Sequence, residues 1–490
     1  MQDIMTKGQN AMKKYQAFAK RIFVILVTVA SVFPIFHMEA QANSAIKEWS
    51  GSDASGVAVM NQHCPITVKN EKLTFNIPTF PDYYYSDASD LNNYRASVTA
   101  RYEFYNPKDY TVTATLAFPF GAFPDYVYAE NEEFYSPATL DRYGVKLDGE
   151  YADAVIRHTY FDRYGETFET TEHLARLRSD YSEMIDYTVT AYTYKVTDTV
   201  ESCYASFTVD GIGDGRYLMT DRYQDYYSVH KDKVGIGIYI DEGKGEDGFT
   251  VYIIGKPLDD AVNPRLFTNS SELKVAQGTV ALKYTETISL YDLAMLGHDP
   301  EGYITEIDRF NAVVDCMITN WEKLGIIISL TDVTSIHTSL MRWYQYEMTV
   351  PAGGTVVNEV TAPIYPDING GMEPPVYTYT YLLSPARSWA GFGTLDIEIV
   401  TPYYLINCDI FPKFEKTESG YATSLGGLPS GELVFSMSSD PNPKREITPY
   451  TILGIGIYIF IVGVIVAVPT TVIVVTVLVV KKKRVRPAAK

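Results

Sequence analysis

From Lys69 to Lys283, β-branched and aromatic residues alternate with polar ones, which is the two-residue period of strands that bury one face. The run Ala96 to Tyr105 alternates, breaks at Asn106-Pro107-Lys108-Asp109 and resumes from Tyr110 to Phe118, predicting a hairpin with turn chemistry in its middle. A second hairpin is predicted between Val145–Leu147 and Ala152–Tyr160 across Asp148-Gly149-Glu150. A third joins Val234–Ile240 to Phe249–Ile254 across the acidic, Gly-rich loop Asp241 to Gly248. Further strands are expected at Thr188–Val196, Cys203–Val209 and Thr279–Thr287, with one helical interruption, Thr167–Leu177, in a crossover loop. Many short strands with few helical stretches among them predict a mainly β fold, an antiparallel β-sandwich (Ig-like), rather than a βαβ protein.

The period then changes. Ile304, Ile307, Phe310, Val314, Met317, Trp321 and Leu324 recur every three or four residues, predicting one long amphipathic helix of about six turns. Pro300 and Glu301 suit its first turn, Gly325 its end, and Trp321 is expected to bury the largest apolar area. A shorter helix around Tyr291–Leu296, closed by Gly297, precedes it. Strands return at Arg342–Val350 and Thr355–Ala362, flanking Pro351-Ala352-Gly353-Gly354, and at Tyr377–Leu383, Gly393–Val400 and Gly431–Met437. The expected order is an N-terminal β-sandwich domain over 43–290, a helical segment over 291–329, a second β domain over 330–437, and a stalk over 438–451 carrying Pro441 and Pro443.

The two ends point to the membrane. Lys13, Lys14, Lys20 and Arg21 precede an apolar run from Ile22 to Phe36, and Ala40-Gln41-Ala42 supplies small residues for cleavage, so residues 1–42 read as a signal peptide. No charged residue lies between Glu446 and Lys481, and 452–480 is long enough for a transmembrane helix, kinked at Pro469. The basic tail 481–490 then reads as cytoplasmic. The expected localisation is the cell membrane, single-pass, with the N-terminal ectodomain outside. Of the net charge of −19, the tail accounts for six positive charges and residues 1–42 for an excess of three, leaving −28 on the exported part. That balance argues against nucleic acid as a partner, because binding phosphates needs a surplus of Lys and Arg.

The strings Ala-Phe-Pro-Phe-Gly at 117–121, Val-Pro-Ala-Gly-Gly at 350–354 and Tyr-Leu-Leu-Ser-Pro-Ala-Arg-Ser-Trp-Ala-Gly-Phe-Gly-Thr-Leu-Asp-Ile at 381–397 resemble those of uncharacterised exported, membrane-anchored surface proteins of Gram-positive bacteria. The resemblance implies a surface protein and implies no reaction. Leu428-Pro429-Ser430-Gly431 is similar to a sortase sorting motif, but it lacks the Thr and lies well upstream of the span, so the membrane helix is the expected anchor.

Motifs that carry chemistry are sparse. Cys64, Cys203, Cys316 and Cys408 permit two disulfides in three connectivities, and a buried thiol is as good a reading for Cys316 on the apolar helix. The histidines are scattered singly, so no zinc site is expected. Gly243 to Gly248 has the spacing of a dinucleotide loop but leads into a strand, and Ser271 to Lys274 has the Ser-x-x-Lys spacing without a Lys-Thr-Gly partner. Asp82, Asp87 and Asp90, or the 241–247 loop, offer oxygen ligands for calcium, yet neither has the order of an EF-hand loop and solvated turns are the better reading. No catalytic, cofactor-binding or metal residue is assigned, and no cofactor is expected. Tyrosine is the outstanding count, 40 against Phe 22. The clusters Tyr83-Tyr84-Tyr85, Tyr223 with Tyr226-Tyr227, Tyr377-Tyr379-Tyr381 and Tyr403-Tyr404 suit sugar stacking or protein adhesion, although alternation over 377–381 reads as a plain strand. Trp389 reads as a core pin. The leading expectation is a non-enzymatic, membrane-anchored surface protein presenting an acidic, Tyr-rich surface to a protein or glycan. The alternative is a membrane-tethered cell-envelope hydrolase.

Overall fold

The computed structural model describes residues 54–445 except 56, 61–63, 82–94, 122–142, 162–169, 214, 242–245, 270–273 and 409–413. The signal peptide, the membrane span and the basic tail lie outside the described residues, as do Tyr83 to Tyr85 and the Asp82, Asp87 and Asp90 group. No helix among the described residues is long and apolar enough to cross a membrane.

The described chain is mainly β, in several sheets. Its early strands are β1 (Ala54–Ser55), β2 (Ala58–Val59), β3 (Thr67–Asn76), β4 (Ser97–Tyr105), β5 (Val112–Gly121), β6 (Gly144–Leu147), β7 (Glu150–Tyr151) and β8 (Val155–Tyr160). Between them and their late partners come α1 (Thr170–Arg178), β9 (Thr188–Thr197), β10 (Cys203–Val209), β11 (Arg216–Thr220), β12 (Tyr226–His230), β13 (Lys233–Ile240), β14 (Glu246–Gly255), β15 (Arg265–Phe267), β16 (Thr279–Ser289), α2 (Leu290–Ala294), α3 (Glu306–Thr319) and β17 (Ile328–Ser329). The late strands are β18 (Leu340–Val350), β19 (Thr355–Pro363), β20 (Asp367–Asn369), β21 (Met372–Glu373), β22 (Val376–Leu382), β23 (Phe392–Val400), β24 (Tyr404–Asn407), β25 (Glu415–Lys416), β26 (Gly420–Leu425), β27 (Leu433–Ser438) and β28 (Lys444–Arg445).

An eight-stranded sheet, β25-β26-β23-β3-β4-β19-β6-β7, interleaves early and late strands. It shares one hydrophobic core with β2-β5-β18-β8 and β1-β22-β27-β24, into which Phe75, Phe104, Phe118, Tyr346, Tyr379 and Phe435 all point. The middle of the chain forms its own pair of sheets, β12-β13-β10-β15 and β16-β9-β14-β11-β17, around Phe207, Ile236, Ile238 and Phe249. The expected division into a domain over 43–290 and another over 330–437 therefore needs correction. β3 and β4 pair with β23 and β19, while 188–329 is the inserted part. Alternation marks which residues face a core but carries no information on which distant strand lies alongside.

The same limit explains the hairpins. β4 lies in the eight-stranded sheet and β5 pairs with β18 in another, so Asn106–Asp109 is a corner between sheets and not a hairpin turn. β13 and β14 likewise lie in different sheets. The Asp148-Gly149 turn, with φ 49 and 90, does close a hairpin, but it returns only as β7, and the chain from β8 crosses to β18. The Pro351–Gly354 turn passes between the same two sheets as Asn106–Asp109. Asn106 is fully buried where the two meet. Its Nδ2 donates to the carbonyls of Tyr110, Val350 and Pro351 at 2.7, 3.1 and 3.1 Å, and its Oδ1 accepts from Lys108 N–H at 3.0 Å.

The long helix exists but starts later than Pro300. Thr305 caps it through a bond from Asp308 N–H, and the helix continues past Thr319 as a wider turn over Asn320–Leu324 until Gly325, at φ 62, ends it. Phe310, Val314 and Met317 are buried as expected, whereas Ile307 is 43 % exposed and Trp321 only half-buried, so the largest apolar burial falls on Phe310. The stalk also starts later: Ser438 is buried at the end of β27, and Lys444–Arg445 pairs with Met372–Glu373.

Asn106→Ala should destabilise a fragment spanning residues 43–446 by about 3 kcal/mol, since it strips buried carbonyls of their donor. Urea unfolding checks this, and a loss under about 1 kcal/mol would mean the corner is held by packing alone.

Candidate functional site

Two places gather side chains that chemistry or binding could use. The first is the polar side of α3. The sequence pattern assigned that side to solvent, but Asp308, Arg309, Asn311 and Asp315 are all buried, because β8, α1 and the loop after it cover it. Asp308 receives Arg157 Nε–H at 2.8 Å and the His158 backbone N–H at 2.9 Å. Burial alone would raise its carboxyl, but the His158 hydrogen bond and the Arg157 charge outweigh it and hold the group below the usual carboxylate range. Arg309 donates to three backbone carbonyls, those of Ala294, Leu296 and Val333, and so ties α2 and the segment after β17 to the helix.

One and two turns further along, Asn311 bridges Ser179 O and Tyr181 N–H, and Asp315 accepts the Tyr181 hydroxyl at 2.6 Å. Burial pushes Asp315 up to about 6, partly offset by the Tyr181 hydrogen bond and the Arg176 charge. Glu172 joins Arg176 and Lys323, clamping α1 onto the end of the long helix. His173, on the buried side of α1, is held well below its ordinary range by burial and by the charges of Arg176 and Lys323. The spacing Asp308, Asn311, Asp315 was visible as a second stripe on the helix, and only the covering elements decide that it is internal.

The second place is the outward face of β12-β13-β10-β15. Directly opposed residues of antiparallel strands share a face, so the pairings Tyr204 with Tyr239 and Tyr204 with Phe267 lay an aromatic row across three strands. The Tyr204 and Tyr239 rings meet edge to face at 5.5 Å, Tyr239 is 38 % exposed, and the Arg265 guanidinium lies 5.5 Å from the centre of the Phe267 ring. Further along the face, Gly235 has no side chain between Ser228 and Thr208. A β-carbon there would come within 2.8 Å of Ser228 Oγ. The Ser228 hydroxyl therefore fills the space over Gly235, with the Thr208 hydroxyl on its other side, four residues along β13 from Tyr239.

The other tyrosines sort by strand. Tyr379 and Tyr381 are core residues, as their alternation implied, and Tyr377 stacks on Phe80, whose other side faces Tyr403, each at 3.9 Å. Tyr223 is exposed and reaches Asp332, and Tyr226-Tyr227 opens β12. Trp389 is a core pin, donating to Val57 O at 2.8 Å. The most specific of the three strings is explained by structure: Glu432 accepts from Leu383 and Ser384 N–H, and Arg387 donates to the carbonyls of Pro429, Ser430 and Gly431. The sortase-like tetrapeptide is thus fastened to the folded body. Cys64, Cys203 and Cys316 are buried in three different hydrophobic clusters. Among the described residues no group of three His, Cys, Asp or Glu is gathered to hold a metal ion.

No protein-family model matches this chain, and no curated protein matches it. Among solved structures it is similar to a chain of Legionella pneumophila described as a candidate nutrient-binding protein, at 10% identity and a TM-score of 0.28, over 79% of this chain and 71% of that one. A score that low carries no argument about function.

Arg157→Ala should cost about 3 kcal/mol at pH 7, because it leaves a buried carboxylate without its cation. The loss should shrink as pH falls and Asp308 is neutralised, since a depressed pKa contributes stability that acid removes. Lys72→Ala, at an exposed pair with Glu398, should cost under about 1 kcal/mol. Thermal melts across pH check the contrast, and equal losses would mean that Asp308 is hydrated.

Proposed function

We propose that this chain is an exported, membrane-anchored surface protein whose ectodomain binds an uncharged, hydroxyl-rich ligand, a glycan, on the outward face of β12-β13-β10-β15. The observation that carries the reading is the edge-to-face pair of Tyr239 and Tyr204 on that face, backed by the buried Phe267, with the Ser228 and Thr208 hydroxyls further along the same strands. A sugar ring has one face of C–H groups, which suits an aromatic edge, and a rim of hydroxyls, which suits side-chain oxygens. The charge of −28 on the exported part favours a neutral ligand over an anionic one. The leader, the apolar segment and the basic tail support the surface location, and sheets packed against one another across shared cores support an antiparallel sandwich of Ig-like kind. The resemblance to Gram-positive surface proteins agrees with the surface location.

A tethered hydrolase is the second reading, favoured by Asp315, whose carboxyl titrates near the pH of general acid–base work. Against it, Asp315 is bonded to Tyr181 and buried under α1, with no room shown for a substrate.

Titration of the purified chain with a panel of neutral oligosaccharides should find a binder whose affinity falls at least about tenfold in Tyr239→Ala, with the melting temperature unchanged. Binding that survives Tyr239→Ala and Tyr204→Ala, or hydrolysis of the sugar lost in Asp315→Asn, would overturn the proposal. Location is tested separately. Protease added to intact cells should remove the ectodomain and spare a tag placed after Lys490, and a digested tag would reverse the orientation.

A further inference from the structure

Glu71 is fully buried in the middle of the eight-stranded sheet, in a core of aromatic and aliphatic side chains. Its inward aim comes from an irregularity. The pairing of β3 with β4 slips between Val68 and Asn70, so Lys69 is an extra residue, and the alternation restarts with Glu71, Leu73 and Phe75 inward. Without the bulge, Glu71 would face solvent with Lys72 on the opposite side.

What the carboxyl meets is a chain of hydroxyls leading to the start of the described chain. Tyr381 O–H, on β22, donates to Glu71 Oε1 at 3.4 Å, and Tyr102, on β4, lies 3.3 Å from Tyr381, oxygen to oxygen. Tyr102 Oη in turn accepts the Val57 N–H at 3.0 Å, while the Val57 carbonyl accepts Trp389 Nε1–H. β1 adds to β22 in parallel at Tyr381 and Leu382. One buried carboxyl thus ends a relay that joins the eight-stranded sheet, the sheet of β22 and the segment around Val57. Among the described residues Glu71 Oε2 has no hydrogen-bond partner. A buried neutral acid tolerates that vacancy far better than a carboxylate does.

We propose that Glu71 is a protonation-controlled latch for the chain at Val57 and Ala58, closed when the carboxyl is neutral and loosened when it is ionised. The titratable groups that face it are phenols: Tyr102 from β4, Tyr381 from β22 and, beyond Tyr381, Tyr346 from β18. Burial moves all three above their ordinary value, so no cation stands ready to stabilise a carboxylate. Burial also raises Glu71 itself from 4.5 to about 7, partly offset by hydrogen bonds from Tyr102 and Tyr381. A pKa raised on closing gives stability that is complete below pH 4.5 and is lost as pH rises to about 7. The latch therefore opens on moving from an acidic to a neutral medium.

Amide hydrogen exchange of the full chain in detergent, corrected for intrinsic rates, tests this at Val57 and Ala58. Their protection should fall by up to about tenfold per pH unit between pH 5 and 7 and then level off, while Val98 and Ile397 in the eight-stranded sheet keep theirs. Glu71→Gln, which cannot ionise, should abolish the pH dependence at Val57. Tyr381→Phe keeps the ring and removes the donor that holds the closed-state carboxyl down, so the fall should start at the same pH and extend to higher pH before it levels off, and this variant serves if the Gln variant folds poorly. A slope at Val57 that survives Glu71→Gln or is unmoved by Tyr381→Phe overturns the proposal, as does an equal fall at Val98, which would make the effect global.

Discussion

Two ribbons of the chain pass from one sheet to another at the same corner, and the Asn106 amide is the group they share. β4 turns there into β5, and β18 turns there into β19, so each pair of antiparallel partners in one sheet becomes a pair in the other. Turning sheets at a buried corner strands carbonyls that no strand can reach. One Asn supplies donors to three of them, while backbone bonds from Asn106 N–H to Gly354 O and from Gly353 N–H to Lys108 O lock the two turns together. The single core that takes in both Phe118 and Phe104 depends on this crossing, as does the meeting of strands more than two hundred residues apart in sequence.

That corner also marks where the sequence stops being readable. Faces were legible: Val98, Ala100, Tyr102 and Phe104 alternate inward as their pattern requires, and β9, β10 and β16 fall where alternation put them. Partners were not. Asn106-Pro107-Lys108-Asp109 specifies a reversal, and a reversal is compatible with a return to the same sheet or to the facing one. The choice is made by long-range packing, to which a local pattern is blind. The bulge at Lys69 is a sharper case, since one inserted residue sends an acidic side chain into the core with no local signature.

The helix gives the converse lesson. Its apolar stripe was read from spacing and is buried at Ile304, Phe310, Val314 and Met317, but so is its polar side, and Asp308, Arg309 and Asp315 sit there only because each has specific partners. A charged stripe on a helix normally faces water. Here Arg157, Tyr181 and three backbone carbonyls replace water, which fixes the positions of β8, α1 and α2 around one helix more narrowly than apolar contact would.

Contact through side chains and pairing through strand edges place opposite demands on an exposed β surface, and the sheets of the middle part keep the two apart. β16 is an eleven-residue edge strand exposed on nearly its whole length, with Leu282 and Tyr284 open to solvent, the composition of a strand that would pair with any passing edge. Lys283 sits as a bulge between those two residues, so the ladder is broken and a charge inserted where a foreign strand would need to dock. The aromatic row of Tyr239 and Tyr204 lies instead on the face of a sheet, where contact is made by rings and hydroxyls and backbone pairing cannot follow. A surface built this way can hold a ligand through its side chains without recruiting other chains through its edges.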